Sequence, residues 1–288
     1  MMETYKSKIE RPAPEILYHY TSQKALLGIV QEGEIWCTKI HYLNDEKEFS
    51  LALKMAHDYL VKLKDKSSSE TENEKISYLI KQVDSIELVN VCVCSFSEKG
   101  DLLSQWRGYG GEPSGFSIGF DAEALKKIGN NSDFLLVPCV YEPEIQKKLI
   151  SDLIDDKLEQ DFPIGGWEVD PDRARTFVAL PQDHEFAQKL TTLAPIIKDQ
   201  AFSEEREWRL ISKALSCTHA NFTFRTGLSM ITPYFRLKLD NDQGIKEIIV
   251  GPTPHLRLSV KATETLLASK GLLQNIKVKE SLIPYRNW

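Results

Sequence analysis

The chain has 288 residues, of which 42% are hydrophobic and 27% are charged, and its formal net charge is -6 at pH 7. Such a length and apolar content allow a substantial core, which argues against wholesale disorder. The negative charge disfavours a broad basic surface that follows a nucleic-acid backbone, but it leaves room for a local basic groove or a small anionic ligand.

The sequence has no segment with the apolar length of a membrane span, and its N-terminus lacks the apolar region of a signal peptide. The five cysteines are scattered, odd in number and without a CxxC pair. This pattern disfavours a disulfide framework or a zinc site. We therefore expect a cytoplasmic protein with no membrane partner.

The predicted elements follow a loose N-terminal arm, residues 1–15. Residues 16–20 predict a strand, because they form a short apolar run. Ser22 can cap a helix that Gly33 ends, since serine accepts a bond from the first helical turn and glycine adopts the left-handed conformation. Residues 35–38 then predict a second strand.

Two helices and the strongest strand follow. Helices are predicted at 46–63 and 76–86, with an exposed polar connection at 64–75. The apolar segment 88–96 (LVNVCVCSF) predicts a strand that is buried on both faces. Residues 97–115 predict a loop that is rich in glycine and aromatic residues and has room for one helical turn.

The rest of the chain predicts short strands around a helical segment. Strands are predicted at 116–120, 134–141, 207–212, 221–225, 234–239, 247–250 and 276–279, with helices after Asp121 and at 257–270. Residues 142–200 are expected to be mainly helical, interrupted by a loop at 163–167. No repeat and no linker divides the chain. We predict one α+β domain over 16–288, a central mixed sheet with a helical insertion at about 142–200.

The first candidate segment lies at the end of the first predicted strand. His19, with Thr21 two residues later, can present a ring nitrogen at the rim of a sheet, where ligands often bind. The alternative is a partly buried histidine that bonds a backbone carbonyl. Farther along, Asp45 and Glu48 have the spacing of a helix capping box, and a carboxylate role for them is the minority interpretation.

The second candidate segment follows the strongest strand. Ser95 and Ser97 share a strand face, so their hydroxyls can bond either a polar ligand or the adjoining loop. Trp106, Arg107 and Tyr109 lie among glycines, where an aromatic ring can stack on a ligand and an arginine can meet a phosphate. The alternative is a packed surface loop with a tryptophan anchor.

The third candidate segment reads FSEEREWRLIS. If it is extended, Glu205, Glu207 and Arg209 point to one face while Trp208 and Leu210 pack inward. Two neighbouring carboxylates repel, so one pKa should rise unless Arg209 compensates. If the segment is helical, it becomes a solvated charged face with Glu205 and Arg209 one turn apart.

These segments, with the opening LYHYTS and the closing EIIVGP and SLIPYR, resemble a bacterial family known as domain of unknown function 2971. The opening also resembles that of DNA ADP-ribosyltransferase toxins. In that superfamily three strand-borne motifs form a cleft that binds NAD. His19 and Thr21 match the first motif, residues 95–97 match its S-x-S form, and residues 205–207 match its E-x-E form. The first motif usually carries an arginine, and here it carries a histidine.

The superfamily resemblance implies a role for each candidate. Glu207 would stabilise the oxocarbenium-like ribose formed when nicotinamide leaves, and Glu205 would contact the acceptor. Ser95 would support the nicotinamide ribose or orient Glu207. The remaining roles are ribose binding by His19 and Thr21, ring stacking by Trp106 or Tyr109, and diphosphate binding by Arg107 or Arg209.

The resemblance implies an NAD-dependent ADP-ribosyltransferase that modifies a protein or nucleic acid, in a bacterial toxin or phage-defence setting, with an antitoxin or regulatory partner possible. Three alternatives remain open. They are an NAD glycohydrolase on the same scaffold, a non-catalytic nucleotide-sensing module, and a metal-dependent hydrolase or nuclease that uses Asp45, Glu48, Glu205 and Glu207.

Overall fold

A computed structural model describes residues 11–43, 46–86, 89–109, 115–160, 185–227, 229–239 and 244–285. Within these ranges the strands are β1 (Ile16–Ser22), β2 (Glu34–Lys39), β3 (Cys92–Ser97), β4 (Gly115–Asp121), β5 (Phe134–Pro138), β6 (Glu207–Ser212), β7 (Phe222–Thr226), β8 (Ile231–Lys238), β9 (Ile245–Val250) and β10 (Lys277–Glu280). The helices are α1 (Gln23–Glu32), α2 (Glu46–Lys66), α3 (Glu70–Ile86), α4 (Leu103–Tyr109), α5 (Ala122–Asn131), α6 (Pro143–Leu158), α7 (Glu185–Leu193) and α8 (Leu256–Ser269). Short 3-10 turns occupy Ile40–Tyr42, Ala194–Ile196 and Gln200–Glu205.

The strands form one large mixed sheet. Its main path runs β10-β9-β4-β1-β3-β2-β8-β7, and β6 pairs with both β3 and β5. The β9–β10 pair is parallel, and the other ladders are antiparallel. The predicted mixed sheet of an α+β protein is therefore confirmed.

The sheet splits beside β3. One edge of β3 pairs with β6 along residues 93–97. The other edge pairs with β2 at Cys92 and Val93, but with β1 only at Ser97. Because a strand has two hydrogen-bonding edges, β1 and β2 share this second edge and diverge beside residues 94–96.

Helices cover both faces of the sheet. On one face, Phe96, Trp208 and Leu210 pack into a core that α1, α5 and α8 close. On the other face, Val93 and Ile211 pack into a second core formed with α2, α3, α6 and α7. Strand alternation therefore assigns successive residues of β3 and β6 to different cores.

The predicted caps of α1 and α5 are confirmed. The Ser22 hydroxyl accepts a bond from the Ala25 amide at 3.3 Å, and Gly33 ends α1 with φ of 65°. The Asp121 carboxylate accepts a bond from the Ala124 amide at 2.9 Å, as expected for an N-cap.

The polar connection predicted at 64–75 is wrong for most of its length. Helix α2 continues to Lys66, and α3 begins at Glu70. The acidic residues Glu70 and Glu72 lie in the first turn of α3, where negative charge favours a helix. The buried side chains farther along α3 then hold the whole helix against α2.

Several other boundaries differ from the prediction. Strand β3 begins at Cys92 rather than residue 88, and β5 ends at Pro138, after which Val140 forms a single parallel bridge with Ile197. The helical turn allowed within the predicted loop at 97–115 is the longer helix α4. Residues 1–10 of the predicted arm and the predicted loop at 163–167 lie outside the described residues. Among the described helices, none is both long and apolar enough to cross a membrane.

Candidate functional site

A cavity of about 320 Å³ lies where β1 and β2 diverge from β3. Eight of the residues predicted from sequence line it, namely His19, Thr21, Ser95, Ser97, Tyr109, Glu205, Glu207 and Arg209. Ser95 and Phe96 point to opposite faces of β3 and both line the cavity, so side chains from both sheet faces contribute to it. The three segments that are distant in sequence therefore meet at one site.

Two predicted site residues lie away from the cavity lining. Trp106 is buried, packs edge-on against Tyr20 with 4.8 Å between ring centroids, and donates a 2.7 Å bond to Asp101. Arg107 is exposed, and its guanidinium lies over the Tyr285 ring at 5.1 Å. Trp106 thus anchors α4 on β1, which is the structural alternative that the sequence left open.

The most charged part of the cavity wall is a buried ion-pair cluster. Arg209 donates two bonds to Glu207, from Nε to Oε1 at 2.7 Å and from Nη2 to Oε2 at 3.0 Å. Lys198 Nζ lies 2.8 Å from Glu207 Oε2 and 2.9 Å from Glu205 Oε2, so it bridges the two carboxylates. The side chains of Glu207, Arg209 and Lys198 are all less than a tenth exposed.

The cluster keeps Glu207 ionised. Burial by itself raises the pKa of a carboxyl group, because it removes water from the charged form. Here the positive charges and hydrogen bonds of Arg209 and Lys198 outweigh burial and lower the pKa of Glu207 to about 2. The rise in pKa that adjacent carboxylates would cause is prevented by Arg209, as the sequence suggested, and also by Lys198.

The backbone before Glu207 differs from the predicted extended segment. Strand β6 begins at Glu207, and Glu205 ends a 3-10 turn. Between them Arg206 has φ of 44°, a left-handed conformation that is uncommon for a residue with a side chain. The Ser97 hydroxyl donates a 2.7 Å bond to the Glu205 carbonyl, and the Tyr141 hydroxyl accepts a 2.8 Å bond from the Glu207 amide.

The two serines of the S-x-S motif therefore differ in their surroundings. The Ser97 hydroxyl also accepts a 3.1 Å bond from the Lys99 amide, so it joins the loop that follows β3 to the 3-10 turn that precedes β6. The Ser95 hydroxyl has no hydrogen-bond partner within the described part of the chain, and the residue lines the cavity half-buried. Ser95 is thus the serine better placed to bond a ligand.

His19 lies beside residues 94–96 of β3, at the edge that neither β1 nor β2 pairs with there. Its Nδ1 is 2.9 Å from the Ser95 carbonyl and 3.7 Å from Cys94 Sγ. Burial raises the pKa of Cys94, but a bond from Cys37 and the proximity of His19 lower it to about 6. The carbonyl contact matches the structural alternative for His19, and the thiol beside it was not expected from sequence.

Sequence reasoning missed Lys198, Cys94 and Arg225, which also line the cavity. Lys198 follows an apolar run, Ala194–Ile197, in a segment predicted to be helical. A lone lysine after such a run is the only sequence signal for its burial, and that signal has many ordinary explanations. Arg225 lies in a predicted strand, where an alternating polar side chain carries no functional information by itself.

Residues 105–210 match a family model described as a protein of unknown function, DUF2971. The matched range begins in α4 and ends in β6, so it contains Lys198, Glu205, Glu207 and Arg209. The first resemblance predicted from sequence is therefore supported over this range. No curated protein and no solved structure matches the chain significantly.

The metal-hydrolase alternative was built on four carboxylates. Among the residues whose side chains are described, no group of three or more His, Cys, Asp or Glu is placed to hold a metal ion. Glu205 and Glu207 are instead bridged by Lys198. The side chains of Asp45 and Glu48 lie outside the described residues.

Proposed function

We propose that this protein binds NAD in the cavity and breaks the bond between nicotinamide and ribose, transferring ADP-ribose to a macromolecular acceptor. The observation that carries the proposal is the position of Glu207. This carboxylate is ionised, held in place by Arg209 and Lys198, and lines one cavity together with His19 and Ser95.

The chemistry requires a fixed negative charge near the ribose. As the glycosidic bond breaks, its electron pair leaves with nicotinamide and positive charge develops on the ribose ring. Glu207 stabilises that charge, and a pre-positioned electrostatic group of this kind contributes roughly 10²–10³ in rate. A nucleophile on the acceptor then bonds the anomeric carbon and loses its proton, and if water takes this place the protein is an NAD glycohydrolase.

The other roles follow the lining of the cavity. Ser95 offers a hydroxyl to the nicotinamide ribose, and Tyr109, the aromatic residue of the predicted set that lines the cavity, is proposed to stack on the nicotinamide ring. His19 and Thr21, both on β1, also line the cavity and are proposed to form hydrogen bonds with the adenosine ribose. Glu205, at the 3-10 turn before β6, is proposed to face the acceptor. A toxin or phage-defence setting and a restraining partner remain predictions from the resemblance.

One observation favours a second candidate, a nucleotide-sensing module without turnover. Both oxygens of Glu207 already accept bonds from Arg209, and Oε2 also contacts Lys198. A carboxylate shared by two cations offers less stabilisation to a third positive centre. In this alternative the cluster is a structural wall, and NAD binds without being cleaved.

Nicotinamide release from NAD separates the two candidates. The comparison uses wild type, Glu207→Gln and Glu204→Gln. Glu204→Gln is the control, because Glu204 is the residue before Glu205 in the chain but is exposed and lies outside the cavity lining. We expect Glu207→Gln to lower release by about 100-fold or more and Glu204→Gln to leave it unchanged.

Ser95→Ala provides a second variant in case Glu207→Gln perturbs folding, since this change removes a hydroxyl without a described partner. Labelled NAD added to a cell lysate identifies the acceptor, and release without labelling indicates hydrolysis. Binding of NAD with no release from wild type would reject turnover and support the sensing module.

A further inference from the structure

Arg225 is the least neutralised cation of the cavity wall. It lies on β7, and its guanidinium is 5.7 Å from the ring centroids of both Trp36 and Tyr234. The two rings are themselves 4.7 Å apart, and Arg225 Nη2 donates a 2.9 Å bond to the Thr38 hydroxyl. The side chain is therefore oriented on two sides, and it lines the cavity half-buried.

The other basic side chains of the lining are already paired. Arg209 is bonded to Glu207, and Lys198 bridges Glu205 and Glu207. For Arg225, no carboxylate of the described residues lies within 4.0 Å. The Thr38 bond uses one of the five N–H donors of a guanidinium, which leaves a fork that can bond two oxygens of an anion.

The surroundings of Arg225 make a purely structural role unfavourable. Removing a guanidinium from water without a counter-ion costs free energy, and burial accordingly lowers the pKa of Arg225. The aromatic rings recover part of that cost through cation–π contacts. An anionic ligand in the cavity would supply the missing counter-charge.

We propose that Arg225, held by Thr38 and stacked near Trp36 and Tyr234, binds a phosphate of the diphosphate group of a nucleotide in this cavity. The proposal rests on the proposed function for the identity of the ligand, but not for the presence of an anion site. Arg225 takes this role in place of Arg107 and Arg209, the two residues that the sequence suggested for it. Arg209 is bonded to Glu207, and Arg107 lies away from the cavity lining.

Calorimetric binding of three probes tests the proposal. The probes are ADP-ribose, inorganic pyrophosphate and adenosine, and the proteins are wild type, Arg225→Gln, Arg225→Lys, and Arg257→Gln as a control. Arg257 is exposed on α8 and lies outside the cavity lining. Thr38→Val is a fifth protein that removes the orienting hydroxyl while keeping the positive charge.

We expect Arg225→Gln to weaken ADP-ribose and pyrophosphate binding by about 10- to 100-fold, the effect of losing a charge-assisted bond. Arg225→Lys should restore part of the affinity, Thr38→Val should weaken it by a smaller factor, and Arg257→Gln should match wild type. Adenosine affinity should be the same in all five proteins, because adenosine lacks the phosphates.

Equal ADP-ribose affinity in wild type and Arg225→Gln, or no binding of either phosphate-containing probe to wild type, would overturn the proposal. The proposed function fails separately. Pyrophosphate binding that depends on Arg225, in a protein that neither binds nor cleaves NAD, would support the anion site and reject the NAD reaction. NAD cleavage with the same KM in Arg225→Gln would reject the site and support the reaction.

Discussion

Lys198 Nζ lies 2.8 Å from a Glu207 carboxylate oxygen, and both side chains are almost completely buried. Lys198 reaches this position from the segment after the 3-10 turn Ala194–Ile196, whereas Glu207 begins β6. Its ammonium also lies over the Phe202 ring at 5.0 Å. The ion pair therefore joins the helical segment before β6 to the floor of the cavity.

Lys198→Met should destabilise the protein strongly. Removing one partner of a buried charge cluster leaves uncompensated charge, which costs about 3–5 kcal/mol in the free energy of unfolding. Urea denaturation measures this loss. The control is Lys147→Met, since Lys147 forms an exposed pair with Glu144 and should contribute less than about 1 kcal/mol. Equal losses in the two variants would contradict a stabilising role for the buried cluster.

The Glu207 ion pairs should weaken in acid. A carboxyl whose pKa is lowered by folding stabilises the protein above its unfolded pKa and loses that contribution as the pH falls through the folded pKa. For Glu207 the window runs from 4.5 down to about 2. Across it wild type should lose on the order of 3 kcal/mol more stability than Glu207→Gln. Denaturant unfolding at a series of pH values would show parallel curves if Glu207 had an ordinary pKa.

His19 should lower the pH at which the Cys94 thiol ionises. Burial opposes ionisation, but Cys37 and His19 lower the pKa of Cys94 to about 6. His19→Gln removes the imidazole and should return the titration to well above neutral pH, because burial then dominates. Ultraviolet absorbance of the thiolate follows the change, in a background where the exposed Cys217 is replaced by serine. An unchanged titration in His19→Gln would mean that the imidazole does not control this thiol.

Trp106 should matter for stability more than Arg107. Trp106→Ala empties the space between α4 and β1 and removes the bond to Asp101, which costs about 3–5 kcal/mol. Arg107→Ala removes an exposed side chain and should change stability by less than about 1 kcal/mol. Thermal or urea unfolding compares the two. The opposite order would mean that α4 is held by the arginine rather than by the tryptophan.

Local chemistry explains which parts of the fold were predictable. The caps at Ser22 and Asp121 and the end of α1 at Gly33 depend on residues within one turn, and the structure confirms all three. The connection at 64–75 was predicted wrongly, because a polar surface helix and a polar loop have similar compositions. Only the burial of α3 against its neighbours distinguishes the two.

In the candidate site, too, local sequence patterns predicted some features and tertiary packing decided the others. Strand alternation assigned Ser95 and Ser97 to one face of β3, and Glu207 and Arg209 to one face of β6. The register Ser95↔Arg209 and Ser97↔Glu207 places both pairs on the same face of the sheet, which the sequence did not predict. The same reasoning, which assumed an extended segment from Arg206, also placed Glu205 on that face, but Arg206 has a left-handed conformation. A single positive φ depends on how the two flanking elements meet, so the pattern did not contain it.

The sequence by itself predicted the α+β fold class and several of the residues that line the cavity, among them His19, Ser95 and Glu207, because strand alternation and capping act over a few residues. Only the tertiary structure decided that β1 and β2 diverge beside β3, and that Lys198 and Arg225 enter the resulting cavity. Long-range strand pairing and the burial of a charge are set by packing between segments far apart in the chain. No local sequence pattern encodes which basic side chain forms an ion pair with which carboxylate.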